Sequence, residues 1–166
     1  GIRPLHTWYE EKQLKAIYEL AKRDASRDFP VKVLDSGWAT QGCLEDKHYQ
    51  VLTGELVKIC RTTGAFVGGI PMALHWSRRY EYPYAIINSM LPEHPSRDFK
   101  ILDCGAGIGP MQFYLAMKGF EVYSLDLNLL NLEKVARFKS RKGLKTLYPN
   151  YGNIFDLPFP SNYFDR

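Results

Sequence analysis

The chain opens with an apolar repeat typical of a helix that buries one face. Leu14, Ile17, Tyr18 and Ala21 fall at i, i+3, i+4 and i+7, which predicts an amphipathic helix over residues 8–25. A turn-rich stretch containing Pro30 and Asp35-Ser36-Gly37 follows. Tyr49, Leu52, Leu56, Ile59 and Cys60 then share a face and predict a second helix over 46–62, with Gly64 as its stop. Gly68-Gly69-Ile70-Pro71 is a cluster of breakers. Beyond it the pattern predicts a short helix over 72–79. Another is predicted to run to about Met90 with Pro83 in its first turn, and Pro92 and Pro95 close the region.

From Phe99 the period shortens. Phe99-Lys100-Ile101-Leu102-Asp103 reads as a strand, residues 110–118 as a helix opened by Pro110 and ended by Gly119, and residues 121–126 as a second strand. A helix over 129–142 stops at Gly143, and a third strand is expected between Leu144 and Tyr151, interrupted by Pro149. This β-α-β-α-β order predicts an α/β fold: a Rossmann-like parallel sheet with right-handed crossovers, preceded by a mostly helical N-terminal region. The chain accordingly divides into a helical region, 1–97, and an α/β region, 98–166.

Composition narrows the class. With 166 residues, 45% hydrophobic and 24% charged, the chain has the make-up of an ordinary globular protein and not of a disordered one. No apolar stretch is long enough to span a bilayer, and no signal-peptide layout is seen at the N-terminus, so a cytoplasmic protein is expected. Cys43, Cys60 and Cys104 are odd in number and widely spaced, as are His6, His48, His75 and His94, which argues for reduced thiols and against a zinc site. The formal charge is +4. Lys134, Arg137, Lys139, Arg141, Lys142 and Lys145 form a basic cluster. Such a cluster serves either a nucleic-acid backbone or, more commonly, the C-terminal end of a helix dipole.

The chemistry concentrates in Asp103-Cys104-Gly105-Ala106-Gly107-Ile108-Gly109. Glycines between a strand and a helix let a ligand approach the main chain, and the helix turns its unpaired N–H groups toward it. Asp126 follows at the end of the next strand, where parallel neighbours bring both carboxyl ends to one edge. A carboxylate there can accept from a ribose diol. A dinucleotide fingerprint needs glycine or alanine after Gly109, and Pro110 stands there instead, which counts against an NAD-dependent dehydrogenase. Gly152-Asn153-Ile154-Phe155-Asp156-Leu157-Pro158-Phe159-Pro160 and then Tyr163-Phe164-Asp165 complete the set.

Together these segments resemble class I S-adenosylmethionine-dependent methyltransferases, in the branch that includes ubiquinone-biosynthesis-type enzymes. The resemblance covers residues 99–166. It implies S-adenosyl-L-methionine as cofactor, with Gly105, Ala106, Gly107 and Gly109 lining its methionine end and Asp103 ordering the glycine loop. It implies Asp126 on the ribose hydroxyls, Leu127 beside the adenine, Asn153 at the adenine amino group and Ile154 on the ring. Asn153 stands where the family usually has aspartate, so its contact would lack charge assistance. Upstream, Trp76-Ser77-Arg78-Arg79-Tyr80-Glu81-Tyr82 offers Arg79 for the cofactor's carboxylate and Tyr82 for its sulfonium.

The expected activity is methyl transfer to an unidentified, small-molecule acceptor. The acceptor would dock in a region shaped by the N-terminal helices, and His75 or His94 is a candidate base. A domain of this type is expected to continue beyond Arg166, so further chain or a partner would complete the sheet. The alternatives are a non-catalytic nucleoside-binding module, which a half-domain would suit, and an RNA methyltransferase, which would use the basic helix.

Overall fold

The computed structural model describes residues 44–166, so the helix expected over 8–25 and the turn-rich stretch after it lie outside the described residues. Helix α1 (Lys47–Thr63) begins where Asp46 caps it, its carboxylate accepting from the backbone N–H of His48 at 2.8 Å and of Tyr49 at 3.1 Å. It ends at Gly64, whose φ of 77° suits the left-handed closing turn, and it buries Leu56, Val57, Ile59 and Cys60.

The Gly68-Gly69 breaker proves to be the tip of a small hairpin. Strands β1 (Phe66–Val67) and β2 (Ile70–Pro71) pair antiparallel, with Gly68 at φ 56° and Gly69 at φ 80° supplying the two positive angles such a tight turn needs.

The next segment corrects the sequence reading. Only Met72–Leu74 forms a short 3-10 turn, and one helix, α2 (Arg78–Asn88), replaces the two expected. Pro83 lies inside α2 and not in its first turn. A proline there removes one N–H from the helix ladder. Its ring is fully buried in return, and this packing places it.

Strands β3 (Lys100–Cys104), β4 (Glu121–Asp126) and β5 (Leu147–Tyr151) form a parallel sheet in that order, connected by α3 (Pro110–Met117) and α4 (Leu129–Lys142). The α/β Rossmann-like reading therefore holds, with helix and strand bounds within a residue or two of expectation, apart from the third strand, which is confined to 147–151. Ile101, Val122 and Leu147 stand side by side in register, all buried on the face covered by the connecting helices. Phe113 and Phe138 meet there edge to face, 4.7 Å between centroids.

On the other face Tyr123 stacks on its neighbour Tyr148 and is met edge-on by Phe159, Tyr163 and Phe164. Packing continues across residue 97: α1 lies against α3, and Lys118 reaches Glu55 at 3.5 Å. The described residues all belong to one compact unit. The change at residue 97 is one of element type.

One detail fixes where a ligand would sit. After β5 the chain returns to the far edge of β3, where Leu102 N–H donates to Arg166 O at 2.8 Å and Asp165 N–H to Lys100 O at 2.9 Å. The chain thus leaves β3 toward β4 on one side and returns from β5 to its other side. In open parallel sheets the crevice at the carboxyl end of such a strand is the ligand site.

Candidate functional site

That crevice holds the glycine turn. Gly105 (φ 67°) and Gly107 (φ 53°) adopt the left-handed backbone that side chains disfavour. A Cβ on Gly105 would meet nothing within 4 Å, so this side of the turn is open, whereas one on Gly109 would sit 3.0 Å from Ala106 O and 3.2 Å from the Tyr82 hydroxyl. Gly109 is the N-cap of α3 without a side-chain bond, and Pro110 follows at the helix start.

Two adjoining clefts flank the turn and share Cys104 and Gly105. The first, about 280 Å³, is bounded by Arg78, Glu81 and Tyr82 of α2, by Asp103 and by Gly109. The second, about 230 Å³, lies between Asp126, Leu127, Gly152 and Ile154. Leu127 and Ile154, which both line it, are each 57% exposed, so its apolar lining is open to solvent.

Asp126 stands at the end of β4 beside the turn. One carboxylate oxygen accepts from Gly107 N–H and the other from Asn128 N–H, both at 2.7 Å. Each oxygen keeps a second lone pair for a hydroxyl donor. Asn128 in turn caps α4, accepting from Leu130 and Asn131 N–H at 3.0 and 3.3 Å, so the acid is held by the helix start it precedes.

Asp103 behaves differently. Burial, and then the negative charge of Asp126, push its carboxyl up to about 6. No hydrogen bond among the described residues offsets that burial. A desolvated acid at the wall of a cleft favours a cationic visitor. Tyr82, whose hydroxyl reaches Met72 Sδ at 3.3 Å, is pushed up to about 12, mainly by burial, and remains a neutral phenol. Burial and then Asp103 raise the Cys104 thiol.

The sequence-predicted residues separate into those gathered at the crevice and those that are not. Asp103, Gly105, Ala106, Gly109 and Tyr82 line the first cleft, and Asp126, Leu127 and Ile154 the second. Gly107 is bonded to Asp126 between them. Arg79 is not among them. One residue on an α-helix turns the side chain by about 100°, and Arg79 faces a separate groove with Leu44, Thr53, Val57 and Leu74. Arg78, paired with Glu81, takes the place expected of it.

Asn153 closes a local turn, its side-chain oxygen accepting from Phe155 N–H at 3.0 Å, while its neighbours Gly152 and Ile154 line the second cleft. Neither His75 nor His94 lines either cleft. The basic cluster on α4 is partly engaged: Arg137 pairs with Glu133, Lys139 lies over Tyr148 and Arg141 over Phe138.

One residue of the turn escaped the sequence reading. Gln112, in the first turn of α3, is fully buried, and its amide nitrogen reaches the carbonyl oxygens of Ala106, Gly107 and Gly109 at 3.3, 3.2 and 3.2 Å. Gln112 and Asp126 thus both bond the backbone of the glycine turn. The signal was present as one amide in the apolar run Pro110-Met111-Gln112-Phe113-Tyr114-Leu115.

Residues 102–166 match the family described as methyltransferase domain. Among curated proteins, an uncharacterized protein of Methanocaldococcus jannaschii is 42% identical over 69 residues, which are 42% of this chain and 26% of that protein. Sterol methyltransferase-like 2 of Botryococcus braunii is 35% identical over 69 residues, 40% of this chain and 18% of that protein. The matched segment thus spans about a quarter or less of these relatives. Among solved structures, the YcgJ protein from Bacillus subtilis aligns over 48% of this chain and 33% of that one at 23% identity and a TM-score of 0.39. Coclaurine N-methyltransferase bound to N-methylheliamine and SAH aligns over 91% and 46% at 14% identity and a TM-score of 0.43. From Leu102 onward the chain is thus similar to a methyltransferase domain, carried here on a Rossmann-like parallel sheet.

Proposed function

We propose that the crevice binds S-adenosyl-L-methionine and serves methyl transfer to a small-molecule acceptor. The observation that carries this reading is the pairing of an open glycine turn at Gly105 with Asp126, between the exposed apolar walls of Leu127 and Ile154. Asp126 would accept from the ribose hydroxyls, and Leu127 and Ile154 would enclose the adenine. The buried carboxyl of Asp103 and the Arg78–Glu81 pair suit the positive and negative groups at the amino-acid end. The cofactor's sulfonium supplies the activated methyl group. The chain's own part is to hold that group in line with the acceptor and to exclude water, which supplies much of the acceleration in such displacements. Tyr82, neutral and close against Gly109, would face the sulfonium.

A cytoplasmic setting accords with the free thiols of Cys60 and Cys104, and no described helix is long and apolar enough to cross a membrane.

Calorimetric titration of S-adenosylmethionine tests the reading. The chain should bind it, NAD should not compete, and Asp126→Ala should weaken binding about ten- to a hundredfold, the cost of a lost hydrogen bond to a charged group. A folded chain that takes up no S-adenosylmethionine, or binds it unchanged with Asp126→Ala, would overturn it.

A further inference from the structure

The peptide group between Ala106 and Gly107 is held at both ends. Its carbonyl accepts from Gln112 Nε2 at 3.3 Å, and its N–H donates to Asp126 at 2.7 Å. We infer that Gln112 is a positioning residue for the cofactor site, acting through this peptide on Asp126, and the inference rests on the methyltransferase reading above.

The stereochemistry supports it. Within a peptide the C=O and N–H point in opposite directions. Drawing the Ala106 carbonyl inward to Gln112 therefore aims the Gly107 N–H outward at the carboxylate. Gln112 adds two further contacts on the same turn, to Gly107 O and Gly109 O, so its two amide hydrogens are shared among three carbonyls. Donation to a carbonyl also polarises the N–H of the same peptide, which strengthens its bond to Asp126.

The side chain's other end argues that this is its role. Gln112 Oε1 is buried with no hydrogen-bond partner among the described residues. An unpaired buried acceptor is unfavourable, and an apolar side chain of the same length would avoid it. Glutamine at this position thus costs stability at one end while its amino group orders the turn. Ala106 O also accepts from Gly109 N–H at 2.9 Å, so the turn retains a bond of its own when the amide is removed.

Gln112→Met removes donor and unpaired acceptor together at nearly constant volume. The variant should melt close to the wild type and yet bind S-adenosylhomocysteine about tenfold more weakly, the equivalent of one ordinary hydrogen bond lost from the turn. In a double-mutant cycle, Gln112→Met on Asp126→Asn should bring little further loss, because both act through one contact. Additive losses would assign Gln112 a general structural role and overturn the inference.

A second readout needs no cofactor. In the free chain, hydrogen exchange at the Gly107 amide should quicken about tenfold in Gln112→Met while the strand amides keep their protection. Unchanged Gly107 exchange overturns the inference even where ligand binding is intact. A wild-type chain that binds no S-adenosylhomocysteine while Gly107 exchange quickens in the variant overturns the methyltransferase reading and leaves the clamp standing.

Discussion

Asp103 sets the pH behaviour of the crevice. An unfolded aspartate titrates near 4, and in the folded chain burial and Asp126 raise the group to about 6. Between those values the folded state binds more protons than the unfolded one, so stability falls as pH rises from about 4 to about 6 and then levels. With allowance for partial exposure, the penalty above pH 6 is on the order of 1–2 kcal/mol. Asp103→Asn should accordingly melt several degrees above the wild type at pH 8 and match it at pH 4, as read by thermal unfolding across that range. A cation docked beside the carboxylate reverses the preference. S-adenosylmethionine should therefore bind the wild type more tightly at pH 7.5 than at pH 5, with a flatter profile in Asp103→Asn. At this scale spacing revealed the acids at the carboxyl ends of two strands, Asp103 and Asp126, because a carboxylate there is a position in sequence. It did not reveal Gln112, whose role depends on three inward carbonyls that exist only once the turn is folded.

The elements explain which expectations held. Helices α3 and α4 were legible because they carry their own signals: Pro110 at the first position of α3, Asn128 before α4 and Gly143 after it. Helix α2 was not, because Pro83 mimics a start signal, and only burial of its ring explains its place inside the helix. Arg78, Glu81, Tyr82 and Ala85, at i, i+3, i+4 and i+7, border the cleft, while Arg79 turns away. Arg78→Ala should thus weaken cofactor binding several-fold and Arg79→Ala leave it unchanged, as measured by the same titration. Helix α1 gives a simpler case. Its cap rests on one carboxylate with two backbone bonds, so Asp46→Ala should lower stability by about 1 kcal/mol in denaturant unfolding.

For the whole molecule, the crevice joins segments far apart in sequence: α2, the glycine turn and the loop at Gly152–Ile154. The last of these is fastened tightly, since a Cβ on Gly152 would lie 2.7 Å from Leu125 Cδ1 and 3.2 Å from Pro158 Cδ. It leads into the aromatic cover on the second face of the sheet, where Phe159, Tyr163 and Phe164 surround Tyr123. A ligand filling both clefts must therefore quieten three separate segments at once, whereas a ligand of the basic helix would touch none of them. Hydrogen exchange separates the two. Saturating S-adenosylhomocysteine should slow exchange over residues 78–85, 104–109 and 152–154 together and leave the C-terminal turn of α4 as it was. An RNA bound through Lys139, Arg141, Lys142 and Lys145 would instead protect that turn, and its affinity would fall steeply with salt. Protection confined to the basic turn would move the functional centre of the molecule from the crevice to α4.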